Sequence, residues 1–317
     1  MNINNNLAKN KNERLPLTSD YVFKRIFARE ENKSMLKDFL EGILNIKINN
    51  IEIKNPELIP NVKDEKLGIL DIKLDVDDKK IIDVEMQVKD ENNIRKRSST
   101  YLAKLASEQL KVAEDYAKQK QIVTINILKF SALKRNSYHS IARMKYEKTK
   151  EQEYVDLGYK TEEENATDIF EMHFIELEKF KKKNPECNTK LEQWLWLIDG
   201  SREEKMKKAM EENKEVKKAA EVLEEISKDP KERERYEERQ WEIIRYNSEM
   251  NTSRELGKKE GIAEGEKRGK ALGVTEGKKL GKAERSKEIA KKMKNAGLEI
   301  KQIIEITGLS AEEIEKL

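Results

Sequence analysis

Residues 67–90, LGILDIKLDVDDKKIIDVEMQVKD, decide the fold. Read at period two, Leu70, Ile72, Leu74 and Val76 line one face of a strand, while Asp71, Lys73 and Asp75 line the other. After a three-residue loop of Asp77, Asp78 and Lys79, a return strand repeats the alternation. Ile82, Val84, Met86 and Val88 are its apolar set, with Ile81, Asp83, Glu85 and Gln87 opposite. A one-residue slip would turn every side chain over, so the two apolar faces must coincide. Val76 then pairs with Lys80, and Asp71 stands opposite Glu85. A register two residues away would set Asp71 against Gln87 and Lys73 against Glu85. The first pairing brings two carboxylates to roughly 4.5–5.5 Å between Cβ atoms, which is unfavourable for like charges. A hard, oxygen-preferring cation such as Mg²⁺ would relieve it. The plain alternative is a half-exposed hairpin with a charged outer face, the default for a solvated strand. Asp75 and Asp83 read as surface charges near the turn.

Around this hairpin the pattern predicts further elements. Thr18 or Ser19 caps a helix carrying Val22, Phe23, Ile26 and Phe27, and a second helical piece carries Met35, Leu36, Phe39, Leu40, Ile43 and Leu44. Ile46–Ile53 alternates weakly and reads as a strand leading to Pro56. Ile94 to about Lys118 reads as a helix with Leu102, Leu105, Ala106, Val112, Ala113 and Tyr116 facing inward. Gln121–Phe130, QIVTINILKF, is apolar and β-branched enough for a buried strand. The order is helix, three strands, helix, strand. Residues 138–180 add strand-like material, chiefly Ala166–Leu177, that extends the sheet or forms a small β-layer. Trp194–Leu197 reads as packing rather than a base-stacking platform, and residues 201–250, almost continuously charged, read as solvent-bathed helix.

The C-terminal region changes character. Gly257, Gly261, Gly265, Gly269, Gly273, Gly277 and Gly281 recur every fourth residue. Each costs a helix about 1 kcal/mol relative to alanine, so seven must break the helix or be recovered by close packing. A self-association strip, giving a homo-oligomer, and a flexible linker are the two readings. Arg254–Lys294 holds 14 basic and 7 acidic residues, an excess that suits a polyanion or a solvated mixed-charge helix. Residues 286–317 form short amphipathic helices broken at Gly297 and Gly308, with a capping-box spacing at Ser310 and Glu313. Their rhythm is that of a helix-turn-helix, equally of a three-helix docking module.

Composition excludes several chemistries. Cys187 is the single cysteine, so no disulfide framework or cysteine zinc cluster exists. His139 and His173 are the two histidines, in no metal-ligand spacing, which sets histidine catalysis aside. No run approaches the ~18 apolar residues of a membrane span. The opening MNINNNLAKNKNER lacks the apolar core of a secretory signal and reads as a disordered leader, so a cytoplasmic protein is expected.

An Asp on one strand followed by Glu-x-Gln on the next resembles the PD-(D/E)XK nuclease superfamily, and more closely the Rpn family of recombination-promoting nucleases and putative transposases. Ser19-Asp20-Tyr21-Val22-Phe23-Lys24-Arg25-Ile26-Phe27 is similar to that family's opening D-x-x-F-K-x-x-F segment. Leu70-Asp71-Ile72-Lys73 matches its Asp strand, Val84-Glu85-Met86-Gln87 its E-x-Q strand, and Arg97-Ser98-Ser99-Thr100-Tyr101 its R-x-x-x-Y helix start. The resemblance implies an α/β fold: a restriction-endonuclease-like αβββαβ core with a long helical C-terminal extension. Composition and pattern divide the chain into a leader (1–15), a nuclease-like domain (16–182), a charged helical region (183–252), the glycine repeat (253–284) and a small helical module (285–317). The resemblance also implies a Mg²⁺-dependent DNA endonuclease feeding recombination, with Asp71, Glu85 and Gln87 catalytic. Metal ligands would be Asp71, Glu85, the Met86 backbone carbonyl and Asp20, whose plain alternative is helix capping. Lys73, Arg97 and Tyr101 would contact phosphate or support the ligands; Lys73 would otherwise neutralise Asp71 and Asp75. Gln87 stands where the superfamily pattern has a Lys; its amide orients water but carries no charge. A silent nuclease fold used for DNA binding or assembly, and a ribonuclease, are the rival readings.

Overall fold

The computed structural model describes residues 13–54, 72–90, 92–109, 118–144 and 169–317. The chain divides into two compact units, Met1–Ile243 and Ile244–Leu317.

The hairpin forms as its pattern requires. Strand β2 (Ile72–Val76) pairs antiparallel with β3 (Lys80–Gln87), from Val76 opposite Lys80 to Ile72 opposite Val84. Asp77 and Asp78 turn the chain with φ of 53° and 56°, and the Lys79 amide donates to the Val76 carbonyl at 3.0 Å. Asp tolerates this left-handed backbone better than β-branched residues do. Asp71 lies outside the described residues, so its pairing with Glu85 is not part of the described ladder.

Strand β1 (Ile51–Ile53) adds to β2 antiparallel. It is shorter than the predicted 46–53, because the Asn49 and Asn50 amides donate to the Asp77 carboxylate instead of to a ladder. Helix α1 (Asp20–Phe27), a 3₁₀ turn (Glu30–Asn32) and α2 (Lys33–Leu44) precede it. Helix α3 (Ile94–Gln109) crosses from β3 to β4 (Gln121–Leu128), which lies parallel to β3. The predicted continuation of α3 through Val112, Ala113 and Tyr116 falls outside the described residues. Strands β5 (His139–Arg143) and β6 (Phe170–Glu176) extend the same sheet, giving the order β1-β2-β3-β4-β6-β5 with β6 parallel to β4. Strands β3, β4 and β6 are thus flanked by other strands on both edges.

On one face Ile72, Leu74, Ile82, Val84, Met86, Val123, Ile125 and Ile127 enter the main core. Helices α4 (Leu177–Lys183), α5 (Lys190–Asp199), α6 (Glu203–Glu212) and α7 (Lys214–Lys228) complete that layer with α1 and α2. Phe27 stacks on Phe39 at 5.3 Å between centroids and meets Trp194 at 5.4 Å. Trp194 and Trp196 are fully buried, which makes them packing residues. The solvent-bathed reading of 201–250 is corrected here. Met206, Ala209, Val216, Ala219, Leu223 and Ile226 sit in the main core, spaced so that one narrow stripe of an otherwise charged helix is buried. On the opposite sheet face α3 lays Leu102 and Leu105 over Ile122, and Ile94 over Leu128 and Phe174.

Helix α8 (Pro230–Asn295) runs through all seven repeat glycines without a break. A Cβ added at any of them would meet nothing within 4 Å. In the second unit, Ala290 of α8, Ile303 of α9 (Ile300–Thr307) and Ile314 of α10 (Ala311–Glu315) form a small core. Ser310 and Glu313 make the predicted capping box. Among the described residues no helix is long and apolar enough to cross a membrane.

Candidate functional site

The side of β3 that faces α3 is where polar groups are buried. Asp83, Glu85 and Gln87 project there with exposures of 4%, 2% and 7%. The parallel register sets Asp83 beside Thr124 and Glu85 beside Asn126 of β4, both buried. Two apolar clusters, one around Ile94 and one around Leu102, flank this polar strip.

Helix α3 supplies the groups that answer it. Arg97 Nη2 donates to Glu85 Oε1 at 2.8 Å and to the Tyr101 hydroxyl oxygen at 3.1 Å. The guanidinium carbon lies 5.3 Å from the Tyr101 ring centroid. The four-residue spacing of Arg97 and Tyr101 places them on one helical face, so the motif spacing explains the contact. Ser98 Oγ donates to Asn126 Oδ1 at 2.7 Å, and Asn126 Nδ2 donates to the His173 carbonyl at 3.1 Å. Glu85 therefore lies between an arginine and an amide held at both ends. Gln87 Nε2 and Thr124 Oγ1 are buried with no hydrogen-bond partner among the described residues. A buried amide donor in that state costs on the order of 1–3 kcal/mol, so a phosphate oxygen or water has a place to bond.

The structure brings Glu85, Gln87, Arg97 and Tyr101 together. Asp71 lies outside the described residues. Asp20 is held elsewhere: its Oδ1 accepts the Tyr21 amide, and its Oδ2 accepts Arg239 Nε and Nη2 of α8 at 3.0 and 2.8 Å. Ser19, without a side-chain cap bond, occupies the N-cap, so Asp20 is not the capping residue. Lys73 reaches Glu108 of α3 at 2.8 Å, while Asp75 is engaged by Lys120 at 2.5 Å, which corrects the expectation that Lys73 neutralises Asp75. Asp75 and Asp83 are not free surface charges either: the first is ion-paired and the second is buried, because α3 covers this sheet face. Ser98 and Asn126 were missed by the sequence reading, though the signal existed. Ser98 lies four residues before inward-facing Leu102, and Asn126 alternates with Thr124 inside an apolar strand.

Two distant histidines also meet. His139 Nε2 and His173 Nδ1 are 2.9 Å apart, His173 Nε2 is 2.5 Å from Glu171 Oε1, and Arg143 Nε donates to Glu171 Oε2 at 2.7 Å. Burial, then His173, pushes the His139 pKa down to about 4. Burial would raise Glu171, but the bonds from His173 and Arg143 outweigh it and hold it at about 2.

Among the described residues no three His, Cys, Asp or Glu side chains gather as a metal site. Glu85 already carries a cation, the Arg97 guanidinium at 2.8 Å, so positive charge is stabilised at this carboxylate. Gln121 N donates to the Lys79 carbonyl and Lys129 N to the Gln87 carbonyl, so odd-numbered carbonyls of β3 serve β4. Strand carbonyls alternate sides, which leaves that of Met86 on the β2 side. A carboxylate plus a carbonyl is an oxygen donor set, suited to a hard dication and unsuited to a soft one.

The described residues form a mixed α/β fold in which a buried carboxylate of β3 meets Arg97 of the crossover helix, itself bonded to Tyr101. The model of the PD-(D/E)XK nuclease family transposases matches residues 17–252, and the chain belongs to that family. The C-terminal helix-turn-helix domain of the Rpn/YhgA-like nuclease family matches residues 283–317. No curated protein and no solved structure matches the chain.

Proposed function

We propose that this chain is a divalent-metal-dependent DNA endonuclease whose cuts feed recombination. The observation that carries the reading is Glu85, 2% exposed, held by Arg97 of the following helix beside Gln87 on the polar face of β3. In this reading the helix–three-strand–helix–strand run ending at β4 is the family's αβββαβ core. Glu85, Asp71 and the Met86 carbonyl would hold Mg²⁺, which polarises a phosphate and lowers the pKa of bound water when present. Gln87 would orient the attacking water through its amide, having no charge to act as a base. Arg97 would bond phosphate oxygens through its planar fork. Phosphodiester hydrolysis adds water across one P–O bond, so these residues position and neutralise without changing covalently. The matched helix-turn-helix supports DNA as the substrate class.

The test is cleavage of plasmid, single-stranded DNA and RNA with Mg²⁺ by wild type, Asp71→Asn and Glu85→Gln at matched folding. Loss of DNA cleavage in both variants is expected. Cleavage of RNA alone would move the substrate class, and no cleavage by folded wild type with any divalent metal would leave a silent nuclease fold.

A further inference from the structure

Glu85 is 2% exposed, and a carboxylate so far out of water needs a cation paired with it. Arg97 provides that charge at 2.8 Å, yet its own side chain is 21% exposed. The pair is therefore lopsided, with the anion out of water and the cation at the solvent boundary. Arg97 also has a second anchor. Tyr101 accepts its Nη2 hydrogen bond at 3.1 Å and presents its ring 5.3 Å from the guanidinium carbon. The aromatic ring thus gives the guanidinium an anchor apart from the carboxylate.

We propose that Arg97 is the cation that Glu85 exchanges for a divalent metal. In the metal-free protein it holds the carboxylate in place on β3. When the carboxylate passes to the metal, Arg97 stays on Tyr101, a few ångströms away, with its donors turned to a phosphate. This rests on the metal-dependent reading above and adds a competition to it. Two cations held on one carboxylate repel each other, and that repulsion is strong where water is excluded. Arg97 is thus a positioning residue before DNA arrives, and its charge weakens metal binding in the free protein.

Calorimetric titration of the full chain with Mg²⁺, without DNA, tests the competition. Arg97→Gln removes the charge and should bind Mg²⁺ at least about tenfold more tightly than wild type, given the coupling energies of close charge pairs. Arg97→Lys retains the charge and should stay near wild type, a difference that a purely structural role would not produce. Equal or weaker binding by Arg97→Gln, with binding abolished in Glu85→Gln, overturns the exchange and leaves the nuclease reading standing. No binding by wild type or Arg97→Gln with Mg²⁺ or Mn²⁺ overturns both. If Arg97→Gln is unfolded without metal, thermal melting against Mg²⁺ gives the same answer. The gap to wild type should close as Mg²⁺ rises, and a constant gap overturns the exchange.

Discussion

Acidification from pH 7 to pH 4.5 should weaken the first unit through one imidazole. His139 of β5 is buried against His173, and its pKa falls from 6.5 to about 4. Above pH 6.5 the ring is neutral whether the chain is folded or not. Below it, the unfolded chain takes a proton that the folded one refuses, so stability is lost as pH falls toward 4. At 1.36 kcal/mol per pKa unit, the loss accumulated by pH 4.5 is roughly 2.5 kcal/mol. That is a large share of a typical 5–15 kcal/mol domain stability. Glu171 acts in the same direction but between 4.5 and about 2, so pH 4.5 lies above most of its contribution. Urea unfolding followed by tryptophan fluorescence reports this unit, because Trp194 and Trp196 are fully buried. His139→Gln keeps a donor for His173 and removes the titration, so it should lose roughly 2.5 kcal/mol less than wild type between the two pH values. The chain has two histidines, so their ring resonances can be followed directly by NMR. Equal losses in both proteins, or a His139 resonance titrating near 6.5, would refute the reasoning.

Other outcomes follow from packing and burial. Gly42→Ala should lower the melting temperature although alanine favours helix by about 1 kcal/mol, because the new Cβ would lie 3.0 Å from the Leu191 backbone nitrogen and 3.1 Å from Lys190 Cβ. Gly261→Ala meets nothing within 4 Å and should slow amide exchange in α8 by the same ~1 kcal/mol; a shared sign for the two would contradict the packing. Arg239→Met leaves the Asp20 carboxylate buried without its bidentate partner and should cost about 3–5 kcal/mol in denaturant melts, much of it recovered in the double variant with Asp20→Asn. Gln87→Leu should leave stability unchanged or up to ~1 kcal/mol higher, since its amide donor has no partner among the described residues, while DNA cleavage falls about 100-fold. A stability loss without an activity loss would make Gln87 a packing residue.

Local pattern was enough for the parts whose physics is local. The two-residue alternation around Asp77 and Asp78 specified the hairpin and excluded a one-residue slip, which would expose every apolar residue of both strands, while the ladder from Val76–Lys80 to Ile72–Val84 chose between the two registers that keep the faces together. The four-residue spacing of Arg97 and Tyr101 placed both on one helical face, and Ser310 with Glu313 specified its own cap. Where burial depends on distant chain, the pattern misled. The charged run after residue 201 hides apolar stripes, Met206 and Ala209 of α6 against α5 and Val216 to Ile226 of α7 against α1 and α2, and charge density alone reads as solvent exposure. Seven glycines in α8 suggested a break or a packed ridge, and the helix runs through them with open space beside each.

The amino-acid sequence by itself determined which residues could share a strand face or a helix face, since side-chain periodicity is a property of a few neighbouring dihedrals. Only the tertiary structure decided what those faces meet. It set Arg97 on Glu85 by laying α3 across the sheet, gave Asp20 to Arg239 across more than two hundred residues, and joined His139 to His173 by pairing β5 with β6. Such partnerships depend on which elements pack together, and that choice is made by burying the whole apolar surface at once, which no local window contains.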